Sequence, residues 1–208
     1  MKSLAKSWAR AWPRLTGGEG VRVRNELLAR YEATHRCYHT LQHLRECVGH
    51  FASVQHLAEN AAEVEVALWF HDAIYDVRKN DNERVSAVLA RNELLEAGAE
   101  ASAAARVAKL ILATQHAVLP ESPDEQLLVD IDLSILGAPR ARFESYDQQI
   151  RHEYSWVAQT VYRSKRLEVL QGFLDRAFIY STAHFRETLE EDARTNLRRA
   201  IGTLSAGR

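Results

Sequence analysis

A chain of 208 residues with 46% hydrophobic side chains can fill a substantial core, and one domain is the expected organisation. Its net charge of −1 and pI of about 6.8 offer no basic excess to meet a phosphate backbone, so nucleic acid is not an expected partner. Cys37 and Cys47 have no zinc-type CxxC spacing and make no disulfide framework, which fits two ordinary thiols in a reducing compartment.

The N-terminal stretch MKSLAKSWARAWPRL alternates basic residues with Trp8, Trp12 and Leu15. It lacks the uninterrupted apolar run of a signal peptide or membrane span, so a cytoplasmic protein with no membrane partner is expected. Ser3–Trp12 reads as a short amphipathic helix capped by Ser3 and stopped before Pro13. The cluster of Gly17, Gly18 and Gly20 reads as a turn, and a second helix follows over about Val21–Tyr31.

Five of the nine histidines then fall between His35 and His56. On a helix at about 100° per residue, His39, His43 and His50 lie along one stripe, beside an apolar arc of Leu41, Leu44, Val48 and Phe51. His56 falls on the polar arc and is expected in solvent. His43 stands one turn after His39, where two imidazoles address one site. The alternative for His43 is a core histidine with a satisfied hydrogen bond.

The segment Val66–Asp76, VALWFHDAIYD, organises the rest. Apolar side chains surround a helix over Val66–Tyr75 on nearly every side, which places His71 and Asp72 inside. A buried ionised aspartate protonates, pairs or binds a metal, and a divalent cation would satisfy both residues together. A structural His–Asp hydrogen bond is the alternative.

Asn80–Glu83 has the form of a capping box opening a helix over about Asp81–Ala97, with Val85, Val88, Leu89 and Leu95 as core and Gly98 as the stop. Ala99–His116 reads as an alanine-rich helix. Ser122-Pro123-Asp124-Glu125 carries strong start signals for a helix over Pro123–Leu136. Within it Asp130 and Asp132 lie about 200° apart, and periodicity selects Asp132 as the buried carboxylate, with Asp130 and Ser134 on the polar edge. Arg140–Leu204 reads as three further helices. No strand pattern occurs, so the expected fold is an all-α helical bundle, with a metal-site core over about 36–137 and C-terminal helices over 140–204.

His43, His71, Asp72 and Asp132 thus stand inside one core as a mixed nitrogen and oxygen donor set. It suits one divalent ion among manganese, iron, cobalt, zinc and magnesium. The order H…HD…D resembles the HD-domain superfamily of metal-dependent phosphohydrolases. The resemblance extends over Arg36-Cys37-Tyr38-His39 with His43, over Phe70-His71-Asp72 with Tyr75-Asp76, and over Asn82-Glu83 with Ser86. It continues through Asp130-Ile131-Asp132-Leu133-Ser134-Ile135-Leu136-Gly137, Arg151 with Glu153-Tyr154, and Ala193-Arg194 with Asn196, which together look like the predicted HD phosphohydrolase branch.

That resemblance implies His43, His71, Asp72 and Asp132 as metal ligands. YHxxxH is also similar to the motif of cyclic-nucleotide phosphodiesterases, which would make His39 the group that assists the leaving oxygen. Asp76 resembles the water-orienting acidic residue of the helical hydrolases of guanosine tetraphosphate. The expected activity is phosphoester hydrolysis by metal-activated water on a nucleotide or other small phosphate ester. Arg36, Lys79 and His116 are the candidate substrate contacts. Two alternatives stand beside this: a metal- and nucleotide-binding sensor or partner-binding module without turnover, and, more distantly, an HD-fold iron oxygenase.

Overall fold

A computed structural model describes residues 2–116 and 118–206. Among the described residues there are ten α-helices and no strand, in agreement with the all-α expectation. The chain forms two compact units divided after Ile131. Helices α1 (Lys2–Thr16), α2 (Val21–Tyr31), α3 (Leu41–Val54), α4 (Ala61–Phe70), α5 (Asn82–Glu96), α6 (Ala101–Ala113) and α7 (Pro123–Asp132) build the first unit, and the division coincides with the final residue of α7. A 3₁₀ turn over Leu133–Gly137 and helices α8 (Arg140–Glu153), α9 (Gln159–Leu174) and α10 (Ala183–Ala206) build the second.

Helix α4 has no exposed face: every residue from Glu63 to Phe70 is buried. Helix α1 covers one side of it through Leu4, Ser7, Trp8, Ala11 and Trp12, a helical stripe whose rings stack on each other and meet Trp69 and Phe70. Ser7 accepts the Trp69 indole N–H at 3.0 Å. Inside this apolar surround Glu63 takes a fork of bonds from Arg106 of α6, and Glu65 takes one from Arg10 of α1. Gly20, in a left-handed conformation at the entry to α2, lies so close to the Trp12 ring that any Cβ there would collide with it.

Several expected boundaries move. Helix α1 does not stop at Trp12 but runs through Pro13 to Thr16, because the packed Trp8–Trp12 face holds the helix across the proline and Gly17 N–H still reaches the Pro13 carbonyl. The expected helix over Val66–Tyr75 ends at Phe70. Beyond it, side chains satisfy the backbone: Arg36 takes the carbonyls of Asp72 and Ala73, and Ser86 accepts the amide of Ile74. Asp81 precedes α5 without a side-chain cap, so the expected capping box at Asn80–Glu83 is not formed. Asn82 is instead turned toward Asp76, bonding its amide and its carbonyl at 3.0 Å each. Val88 is half exposed, and the inner face of α5 is Ser86, Ala87, Ala90 and Leu94.

Helix α7 does open on the Ser122–Glu125 capping box, with reciprocal bonds between the two residues and a Lys109 ion pair at 2.7 Å on Glu125. It ends at Asp132, four residues before the expected Leu136. In the second unit, Asn196 of α10 donates to the carbonyls of Leu136 and Ala138, and Tyr180 donates to Leu133. Gly137 fits there because a Cβ would meet Leu189 at 2.7 Å. Phe178, expected in a core, is exposed because residues 175–182 are not helical; Ile179, Tyr180 and Phe185 are buried in its place.

Candidate metal centre

His43 lies on the buried face of α3, and His71 is the C-terminal cap of α4. Their Nε2 atoms are 3.0 Å apart, and Asp72 Oδ2 lies 3.3 Å from the first and 3.1 Å from the second. Two ring nitrogens, in hydrogen-bond contact, and one carboxylate oxygen therefore form a triangle with nearly equal edges. Bonds of about 2.1 Å at right angles around one ion set neighbouring donors about 3.0 Å apart, and tetrahedral angles set them about 3.4 Å apart. The triangle has the dimensions of one face of a divalent-ion coordination shell. Asp72 Oδ2 is itself buried and makes no well-directed hydrogen bond, so it points at the two imidazoles without being satisfied by them.

The orientation of His71 is fixed from behind. Its Nδ1 lies 2.8 Å from the Leu68 carbonyl, which accepts only if that nitrogen carries the proton, and this leaves the Nε2 lone pair facing His43. Burial pushes the Asp72 carboxyl up, but His71 and His39 and the adjacent His43 outweigh it and hold the group well below the ordinary carboxylate range.

A larger group shares these imidazoles. Donor atoms of His43, Cys47, His71 and Asp132 all lie within 4.8 Å of one another, with the first three residues buried and Asp132, in the last turn of α7, part exposed. The helical fold therefore carries a buried His, Cys, His and Asp cluster compatible with a metal ion. Periodicity misplaced the two aspartates of α7: Asp130 is fully buried, as is Ser134, and Asp132 is the more exposed. Helix α7 is buried at every residue from Leu127 to Ile131, so no polar edge exists for Asp130 to occupy.

His39 is not helical. It sits in the turn before α3, whose N-cap is Thr40, so the expected stripe of His39, His43 and His50 does not exist as one helix face. The turn nevertheless brings its ring 5.9 Å from that of His43 and 4.1 Å from that of Tyr75. His56 is exposed, as expected.

Arg36, a candidate substrate contact in the sequence, acts in the fold as a structural clamp. It is buried, and its guanidinium donates to His39 O at 3.0 Å, Asp72 O at 2.7 Å and Ala73 O at 3.1 Å while lying over the Tyr31 and Tyr75 rings. It ties the turn of His39 to the turn of Asp72 through Nη1 and Nη2, and its Nε is buried without a hydrogen-bond partner. Burial pushes the neighbouring Tyr31 hydroxyl up to about 12, so it stays protonated and donates to Trp69 O. Asp76 is part exposed and uses Oδ1 to accept the Arg78 amide at 3.0 Å. Lys79 is exposed in the same turn. His116 follows α6 in a left-handed backbone conformation, and it is not among the converging donors.

Cys47 went unnoticed as a donor in the sequence, although its i, i+4 spacing from His43 was the available signal. Comparison of the chain with known protein families, curated proteins and solved structures finds no match. Among the described residues no helix is long and apolar enough to cross a membrane.

Proposed function

We propose that the protein is a metal-dependent phosphohydrolase of the HD type, acting in the cytoplasm on a phosphoester of a nucleotide or other small phosphate ester. The observation that supports this best is the donor triangle of His43 Nε2, His71 Nε2 and Asp72 Oδ2, with edges of 3.0, 3.1 and 3.3 Å and the Asp132 carboxylate close by. A divalent ion held there would supply a water of lowered pKa and polarise a phosphoryl oxygen. The remaining work falls to the chain. His39, set beside the donors and outside the converging group, gives a proton to the departing alkoxide. Asp76 orients the attacking water through the carboxylate oxygen that does not hold its own turn. Lys79 and His116 are the proposed substrate contacts.

One observation favours a second function, a binding module without turnover: the buried Arg36, which holds the Asp72 backbone, spends its Nη groups on three carbonyls. The two are separated by measuring hydrolysis of nucleotides and of alkyl and aryl phosphoesters by protein loaded with manganese, iron, cobalt, zinc or magnesium. Turnover by the wild type is expected with at least one of them. His39→Ala should keep its metal and lose about 10²–10⁴-fold in rate, most on alkyl esters, whose leaving group most needs a proton. Equal rates for wild type and variant on both esters would remove His39 from proton transfer. A metal-loaded wild type with no hydrolysis would select the binding module.

A further inference from the structure

We propose that Cys47 is a metal ligand and that its thiolate tilts the centre toward a thiophilic ion, zinc or cobalt, over magnesium or manganese. This rests on the metal site inferred above and goes beyond it in naming a sulfur donor. Cys47 lies on the buried face of α3, one turn after His43, among Leu44, Val48 and Phe51. A thiol placed only for packing would have its sulfur in apolar contact. This sulfur instead lies 3.7 Å from both ring nitrogens of His43 and within 4.8 Å of the donors of His71 and Asp132.

Bond lengths of about 2.3 Å to sulfur and about 2.0–2.1 Å to nitrogen, at near-tetrahedral angles, separate the two donors by about 3.5 Å. The observed separation needs an adjustment of a few tenths of an ångström to match. With two neutral imidazoles, a thiolate and the Asp72 carboxylate already carry the two negative charges that neutralise a divalent ion, before Asp132 is counted. Coordination breaks the S–H bond, releases its proton to solvent and places the sulfur electron pair on the metal, with no change of oxidation state. Soft sulfur favours zinc and cobalt, whereas magnesium and manganese prefer an all-oxygen shell.

Cobalt(II) added to metal-free protein reads the bond directly, because a cobalt–thiolate pair absorbs in the near ultraviolet by sulfur-to-metal charge transfer. The band is expected in the wild type and in Cys37→Ser, and absent in Cys47→Ser and Cys47→Ala. Zinc affinity, measured by competition with a chromophoric chelator, should fall in Cys47→Ser by more than the about 10–100-fold that changes behind the ligands cost. Manganese affinity should barely change. Stoichiometric cobalt binding by the wild type with no charge-transfer band overturns Cys47 as a ligand and leaves the histidine and aspartate site standing. Failure of the wild type to bind cobalt or zinc overturns both. The wild-type spectrum decides the matter even if the Cys47 variants do not fold.

Discussion

Two pairs of ionisable side chains lie within ten residues of each other and are treated in opposite ways. Glu63 and Glu65, inside α4, are each matched by an arginine from a neighbouring helix, Arg106 and Arg10. His71 and Asp72, just past the end of the same helix, lie against another histidine and a buried thiol, and the buried Arg36 turns its Nη groups to backbone carbonyls. Glu63 and Glu65 are matched within the folded chain, whereas the His71–Asp72 cluster belongs to a group of side chains compatible with a metal ion. The difference separates architecture from chemistry: a buried carboxylate with its own arginine builds the core, and one beside imidazoles forms a group compatible with a metal ion.

The largest test of this contrast is Asp72→Ala. It should abolish stoichiometric zinc or cobalt binding by elemental analysis while circular dichroism stays helical, and a variant that keeps its full metal content would remove Asp72 from the ligand set. Next comes Arg10→Met, which strands Glu65 in the core. It should lower stability by up to about 3 kcal/mol in denaturant unfolding, moderated because Arg10 is 33% exposed, and should leave metal affinity unchanged. If metal binding fell along with stability, the two regions would not be independent. The smallest effect is expected from Arg36→Gln, which loosens the turns carrying His39 and Asp72 without touching a donor. Metal affinity should drop by about 10–100-fold, as for other groups that orient ligands from behind, and an unchanged affinity in calorimetry would reduce Arg36 to a packing role.

Much of the fold was legible because long apolar patterns dictate it. The bounds of α2, the encircled character of α4, the Ser122–Glu125 capping box, the Gly98 stop and three helices after Arg140 all follow from period and punctuation. His43, His71 and Asp72 were legible for a different reason: charge and imidazole in an apolar run demand a partner. Errors arose where tertiary contacts override period. Asp130 and Asp132 could not be ordered by helical arcs in a helix buried on nearly all sides, and His39 could not be placed by an i, i+4 rule across an N-cap. Arg36 as a clamp was illegible altogether, because its three carbonyl partners are backbone atoms of residues 39, 72 and 73, and backbone acceptors leave no mark in side-chain patterns. Cys47 lay in plain sight at helical spacing, yet motif spacing for zinc sites looks for pairs of cysteines, not for one beside a histidine.

The donors His43 and His71 are 28 positions apart in the chain, one on α3 and one at the close of α4, and they face each other only when those two helices are docked. An ion joining them would act as a clasp on a loop of the polypeptide, recognising the assembled pair and not the loose chain. Resistance to heat or denaturant then becomes a property of the solution as much as of the sequence, rising with free ion by about 2.7 kcal/mol once its concentration reaches about 100 times the dissociation constant.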